Sequence, residues 1–264
     1  MTSEARIRDA IAELARTRAP EPLLPSVLRE VGLGYWYATL ASVLGPVFVA
    51  HGPRGVAAIR REAEGADAFE RWFAATHDAP VRREPVLPAR IVASLEGRWR
   101  GERRVLPLDL EHVTPFQRAV LEQAARIPRG EVRTYGWIAK EIGHAHAARA
   151  VGNALAHNPV PLVVPCHRVV PGDLALGAYS CGGPEAKRAV LTAEGVDLVR
   201  LEALAAGGVR FVGSDTTHVF CTPTCRTTRR LTRQHEVHFR SERAARQAGY
   251  RPCLVCRPIA EVAA

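Results

Sequence analysis

Apolar residues at the start of the chain recur at helical spacing. Ile7, Ile11 and Leu14 alternate with charges, which predicts one or two amphipathic helices over residues 4–31, broken near Ala19-Pro20-Glu21-Pro22. From Tyr35 the pattern shortens to strand-sized runs. Tyr37-Ala38-Thr39-Leu40, Val47-Phe48-Val49-Ala50 and Val56-Ala57-Ala58-Ile59 are separated by Gly45-Pro46 and by Gly52-Pro53-Arg54-Gly55, the signature of a β-meander. A helix is predicted over 66–75, with Phe69, Trp72 and Phe73 as its apolar face. Prolines mark 79–90 as connection. Ile91 to Trp99 returns to helical spacing, and Val105-Leu106-Pro107-Leu108 reads as a strand.

Helix signals dominate the second half. Thr114 is a capping residue, Pro115 takes the first helical position, and Gln117 falls where a capping box needs it. Phe116, Val120, Ala124 and Ile127 line one face up to Pro128-Arg129-Gly130. Two short helical segments follow, 134–142 and about 147–157, with Gly143 between them and Val151 and Leu155 inward. Such a pair reads as a helix-turn-helix. Pro161-Leu162-Val163-Val164 is then a short apolar run of β type that delivers Cys166 between Pro165 and His167. A helix from Pro184 ends at Glu194, just before Gly195, and residues 196–207 form another up to Gly207-Gly208. A last short helix is predicted from Ser241 to Gln247.

Length and charge narrow the class. The 264 residues suffice for two or three small domains. A formal charge of +9 suits a polyanionic partner. All but two of the 36 basic residues are arginine, the side chain better suited to phosphate forks and stacking. No apolar run is long enough to span a bilayer, and the N-terminus does not read as a signal peptide. Six cysteines in that setting point to a reducing, cytoplasmic compartment, with the thiols serving catalysis or metal ligation.

Cys166 is a candidate nucleophile, since a neighbouring imidazole and guanidinium favour the thiolate. For Pro-Cys-His alone, a buried inert thiol is an equal alternative. With Asn158-Pro159 upstream and Tyr179-Ser180 downstream, Pro165-Cys166-His167-Arg168-Val169 resembles the active site of the O6-alkylguanine-DNA alkyltransferases, and the likeness runs through most of residues 35–200. The resemblance implies a cysteine that takes an alkyl group from O6 of guanine and keeps it. It implies an α/β N-terminal domain with a ribonuclease-H-like sheet within 1–110, and a mainly α active-site domain with a helix-turn-helix over 111–200. Cys166 would be the nucleophile, His167 its base and Glu194 the group that orients His167. Successive side chains on an extended segment point apart, so the family's bridging water would join Cys166 to His167. A carboxylate at a helix C-terminus is unfavourable in the helix dipole, which a bond from Glu194 to His167 would rationalise. The lesion must be flipped out of the duplex. By resemblance, Arg149 fills the vacated stack, Tyr135 rotates the nucleotide, Pro161, Tyr179 and Ser180 line the pocket, and Asn158 braces the turn. Small residues at Ala148, Gly152 and Ala154 would let the helix approach the minor groove. The segment Tyr179 to Pro184 is one residue longer than in the best-known relatives, and Cys181 is additional.

Beyond residue 210 the composition shifts, with nine arginines and four acids over 211–264. Cys221-Thr222-Pro223-Thr224-Cys225 and Cys253-Leu254-Val255-Cys256 form two paired-cysteine hooks, a strong zinc signal. Cys221, Cys225, Cys253 and Cys256 complete a tetrahedral site, so His218, His235 and His238 are left out. Low apolar content implies that metal folds this module. With Thr216 to Cys221 and Ala248 to Cys253, the segment resembles the zinc domain of the Ada adaptive-response protein, a small α+β zinc domain placed here over 209–264. That resemblance makes Cys221 a candidate acceptor of methyl from a phosphotriester. Methylation would remove one negative charge from a four-thiolate centre and raise DNA affinity. The module is C-terminal here and N-terminal in Ada, and Thr228 stands where Ada has an arginine.

The expectation is a zinc-containing DNA repair methyltransferase. It would act once, as a monomer, on double-stranded DNA containing O6-alkylguanine, with no membrane partner. Two rivals stay open: a non-catalytic lesion sensor and a methylation-responsive transcription regulator. The presence of Cys166 argues against the first, because such sensors lack the acceptor thiol.

Overall fold

Strands buried on both faces organise the N-terminal half of the computed structural model, which describes residues 34–258 together with Val27 and Val31. Apart from those two positions, the helices predicted over 4–31 lie outside the described residues. Strands β1 (Tyr35–Ser42), β2 (Gly45–Gly52) and β3 (Gly55–Arg61) form the predicted antiparallel meander. The first turn falls at Val43-Leu44, so Gly45-Pro46 already belongs to β2. Helix α1 (Ala66–His77) covers one face of this sheet, where Phe69 and Phe73 pack on Tyr35, Tyr37 and Phe48. The other face carries Val47, Val49 and Ile59 against Ile91 and Leu95 of α2 (Ala89–Trp99). Coverage on both sides explains why these strands read as continuous apolar runs rather than as an alternation.

Two expectations for this half need correcting. Val81–Arg83, expected within a connection, is a fourth strand, β4, parallel to β1. It is three residues long with prolines on both sides, and only its pairing with β1 makes it a strand. Conversely, Val105-Leu106-Pro107-Leu108 forms one isolated bridge, between Leu108 and Val56. Pro107 has no N–H to continue a ladder; its carbonyl accepts from Val56 at 3.0 Å. The sheet order is β3-β2-β1-β4. Edge strand β3 also donates from Ile59 to the Pro159 carbonyl at 2.8 Å, which ties this half to the loop carrying Asn158.

Helix α3 (Pro115–Ala125) starts as its cap predicts, with the Thr114 side chain accepting from the Gln117 amide at 3.2 Å. Gln117 does not close a capping box. Its side chain reaches the His157 carbonyl at 3.0 Å instead and so joins α3 to the end of the helix that closes at Ala156. A two-residue strand β5 (Arg133–Thr134) leads into α4 (Tyr135–Glu141), and α5 (Ala148–Ala156) packs on α4 and α3. Ala154 is buried in this packing and does not face outward. Strand β6 (Val169–Val170) pairs parallel to β5. Helices α6 (Gly183–Ala193) and α7 (Leu198–Ala206) complete this region.

The C-terminal module is a small mixed sheet. Strands β7 (Phe211–Ser214), β8 (Val219–Cys221), β9 (Glu236–Phe239) and β10 (Arg251–Pro252) take the order β10-β8-β7-β9. The predicted helix forms as α8 (Glu242–Gln247), with Ser241 just outside it as its cap. Phe211, Phe220, Phe239, Ala245 and Tyr250 form its core. Gly213 is required there, since a Cβ at that position would stand 2.8 Å from the Phe239 and Tyr250 rings.

Candidate functional site

Residues 158–168 fold as a compact loop closing in a single 3-10 turn, not as the predicted apolar strand. Pro161 and Pro165 lack amide donors, and Leu162 takes a left-handed backbone with φ of 69°. The chain therefore closes on itself, with Val164 N–H on the Val160 carbonyl at 3.0 Å. Cys166–Arg168 form the 3-10 turn. Asn158 staples the loop: its Oδ1 accepts from the Val160 amide at 3.1 Å, and its Nδ2 donates to the Val164 carbonyl at 2.9 Å. The same Nδ2 stands 3.1 Å from Cys166 Sγ. Asn158 is thus a direct partner of the thiol, beyond the bracing role its sequence position suggests.

Cys166 and His167 are both buried, at 6% and 1% exposure, and no hydrogen bond joins their side chains among the described residues. His167 Nε2 meets Glu194 Oε1 at 3.1 Å, while its buried Nδ1 has no protein partner. Arg168 grips both oxygens of Glu194, at 2.7 and 2.6 Å, and donates to the Ile127 carbonyl. The Arg168 guanidinium therefore serves Glu194, whereas the sequence suggested that it favours the thiolate. Burial alone would raise the Glu194 pKa, but the hydrogen bonds from His167 and Arg168 outweigh it and hold the carboxyl at about 2. Burial lowers His167 below the ordinary imidazole value, and Glu194 only partly offsets this. Burial pushes the Cys166 thiol up; Asn158 and the charge of Lys187 pull it part of the way back.

Lys187 is the group that sequence reasoning missed. It is 1% exposed, donates to the Val169 carbonyl at 2.6 Å, and burial draws its pKa down to about 8. Its only signal in the sequence was scarcity, as one of two lysines in an arginine-rich chain. Tyr179 is buried with its hydroxyl lacking a protein partner, and its ring lies 6.3 Å from that of His167. Tyr135, half-buried at the start of α4, faces Gly152 on α5, where a Cβ would come within 3.7 Å of its ring. Its pKa is raised by burial and then by the nearby Cys166 sulfur.

The fold therefore gathers Tyr135, Asn158, Cys166, His167, Tyr179 and Glu194 around one thiol. Pro161 lies in the same loop. Arg149 stands apart, exposed on the first turn of α5, and Ser180 is exposed. Asn158, Pro161, Ser180 and Cys181 line one side of a cleft of about 340 Å³ whose other wall includes Trp72 of α1. Burial raises the Cys181 thiol to about 11, which keeps it protonated and unreactive at neutral pH.

A second centre lies in the C-terminal module. The sulfurs of Cys221, Cys225, Cys253 and Cys256 all lie within 4.8 Å of one another, are buried, and form no disulfide. Zinc–thiolate bonds of about 2.3 Å in a tetrahedron put sulfurs roughly 3.8 Å apart, so four thiols at this spacing fit the ion. Backbone amides of Thr222 and Val255 point at Cys256 and Cys253 sulfurs, each at 3.4 Å. Four buried thiols in this arrangement can hold a zinc ion without a histidine.

Residues 115–196 match the family model for the 6-O-methylguanine DNA methyltransferase DNA-binding domain, and residues 200–258 match the metal-binding domain of Ada. A methylated-DNA–protein-cysteine methyltransferase of Mycobacterium tuberculosis is 38% identical over 159 residues, 60% of this chain and 91% of that protein. The crystal structure of the M. tuberculosis OGT in complex with DNA is similar with a TM-score of 0.50 and 35% identity, covering 61% of this chain and 93% of that one. The O6-methylguanine-DNA methyltransferase from Pyrococcus kodakaraensis gives a TM-score of 0.51 at 28% identity, over 61% and 99% of the two chains.

Proposed function

Since the chain belongs to the methylated-DNA–protein-cysteine methyltransferases, and so repairs DNA by alkyl transfer to one of its own cysteines, we propose that Cys166 is the acceptor and O6 of guanine the donor. The observation that carries this reading is a buried thiol on Asn158 Nδ2, with His167 adjacent and held by Glu194. Cys166 gives its proton to His167 through one bridging water, for which the buried, unpartnered Nδ1 is the receiving atom. Glu194, locked by Arg168, fixes the imidazole and offsets its charge. Lys187 lowers the cost of the thiolate. The thiolate attacks the alkyl carbon, the C–S bond forms as the C–O6 bond breaks, and the electron pair leaves with guanine, which takes up a proton. The product thioether is a poor leaving group, so each molecule acts once.

Access to O6 requires base flipping. In this reading α4 and α5 are the helix-turn-helix that meets the minor groove, the N-terminal sheet is ribonuclease-H-like, and Arg149 enters the stack. Exposure of Arg149 supports that role. Tyr135 turns the nucleotide; Pro161, Ser180 and the unpartnered Tyr179 hydroxyl receive the base. The division of labour is an N-terminal domain to about 110, a transfer domain over 111–200, and a zinc module from 209. The protein acts as a monomer, in the cytoplasm, where its six free cysteines stay reduced. Among the described residues no helix is long and apolar enough to cross a membrane.

For the zinc module we propose methyl acceptance from phosphotriesters at Cys221. Cys221 lines a cleft of about 200 Å³ with Thr217, Thr227 and Arg230, and the other three ligands do not line it. Bound zinc keeps the sulfurs as thiolates. Arg230 offers a cation for the phosphate.

Mass mapping of cysteine peptides tests both assignments. The zinc-loaded protein is incubated with a duplex carrying O6-methylguanine and with one carrying a methyl phosphotriester. Methyl on Cys166 from the first and on Cys221 from the second is expected. Methyl on Cys166 alone removes the second role, and lesion binding without methyl on Cys166 overturns the first.

A further inference from the structure

Four pairings between the zinc module and the transfer domain lie at the cysteine hooks, while Arg200–Glu236 and Arg229–Gly130 join the two elsewhere. Thr224, inside the first hook, accepts the Val132 N–H at 2.9 Å, and its hydroxyl lies 3.3 Å from the Val132 carbonyl. Arg226, next to Cys225, donates its amide to Glu131 Oε1 at 3.0 Å. The Cys256 carbonyl accepts the buried Trp137 indole N–H at 3.0 Å. Arg257, next to Cys256, pairs with Glu141. A metal that fixes four sulfurs also fixes the backbone that offers these groups.

On the other side the partners form one continuous segment, 131–141. It holds β5, which pairs with β6 directly after the Cys166 turn, and α4, which begins at Tyr135. Glu131 and Arg133 are buried there at 1% and 3% exposure and pair at 2.5 Å, while the Arg133 guanidinium lies 5.6 Å over the Trp137 ring. Glu131 thus divides its two oxygens between Arg133 and the amide after the first hook. A buried carboxylate that loses one such partner is left under-satisfied.

We propose that the zinc-loaded module is an internal brace for residues 131–141, with Thr224 and Trp137 as its positioning residues. Zinc binding and the order of β5 and α4 are then coupled, and the coupling is reciprocal. The consequence for transfer rests on the role proposed for Tyr135. The coupling itself does not.

Hydrogen exchange on the full chain, zinc-loaded and chelated, tests it. Amides of 131–141 should lose at least about tenfold in protection on chelation, while those of α1 are unchanged. Trp137→Phe keeps an aromatic side chain, though a smaller one, and removes the donor; Thr224→Val keeps the shape and removes the hydroxyl. Each should speed zinc release to a chelator by about two- to tenfold, the range expected for one hydrogen bond. Unchanged protection at 131–141 on chelation, or wild-type zinc release in both variants, overturns the brace. Should chelation unfold α1 as well, the release rates decide. None of these readouts requires transfer to Cys166, so failure of the acceptor assignment stays distinguishable.

Discussion

At Cys166 the resting thiol is buried and raised, so reactivity depends on what compensates the thiolate. The charge of buried Lys187 favours the thiolate, and its effect has a defined sign. Lys187→Met should slow single-turnover transfer from O6-methylguanine several-fold at neutral pH and move the rate profile to higher pH, because the thiolate loses a favourable charge. The same residue shapes stability. Its folded pKa of about 8 lies below the ordinary 10.5, so the unfolded chain binds more protons between those values and stability rises with pH across that window. That rise should vanish in the variant, as read from denaturant midpoints. A variant with wild-type rate and pH profile would remove Lys187 from the chemistry. Neither Lys187 nor the grip of Arg168 on Glu194 has a local signature, because each arises from contacts across the fold. Cys166 and His167 were legible because the motif is contiguous, and the zinc cysteines because their hooks are short.

Elements were legible where local chemistry decided them. The meander, the Thr114 cap and the short helix ending at Gln247 stand as the sequence predicts. The run ending at Cys166 was not, because apolar content argued for a strand while two prolines and a left-handed Leu162 imposed a turn. Strand β4 exists through pairing alone. Helix α5 offers a test of its outward face. Gly152 has room for a methyl, since a Cβ would meet Tyr135 at an ordinary 3.7 Å. Gly152→Ala should therefore stabilise the fold by about 0.5–1 kcal/mol through helix propensity. If α5 meets DNA there, the variant should also weaken duplex binding several-fold. A gain in stability with unchanged DNA affinity would move the interface elsewhere.

Across the whole molecule, the charge of +9 carried almost entirely by arginine makes DNA affinity an electrolyte property. Binding to undamaged duplex should fall by at least about a hundredfold between 50 and 200 mM salt, and a flat salt response would exclude a phosphate-dominated interface. A composition shift sets the C-terminal segment apart, but the docking of the hooks on 131–141 leaves no such mark in the sequence. That docking joins positions 92 to 119 residues apart, and no window of sequence reveals it. It also bears on how the protein is made. A ribosome adds about 5–20 residues per second, so Trp137 waits on the order of ten seconds before Cys256 exists. If zinc holds the hooks as the brace requires, the closing step also waits for an ion. A cell starved of zinc would hold chains finished in length and unfinished in shape, and its repair capacity would follow the metal supply rather than the message level.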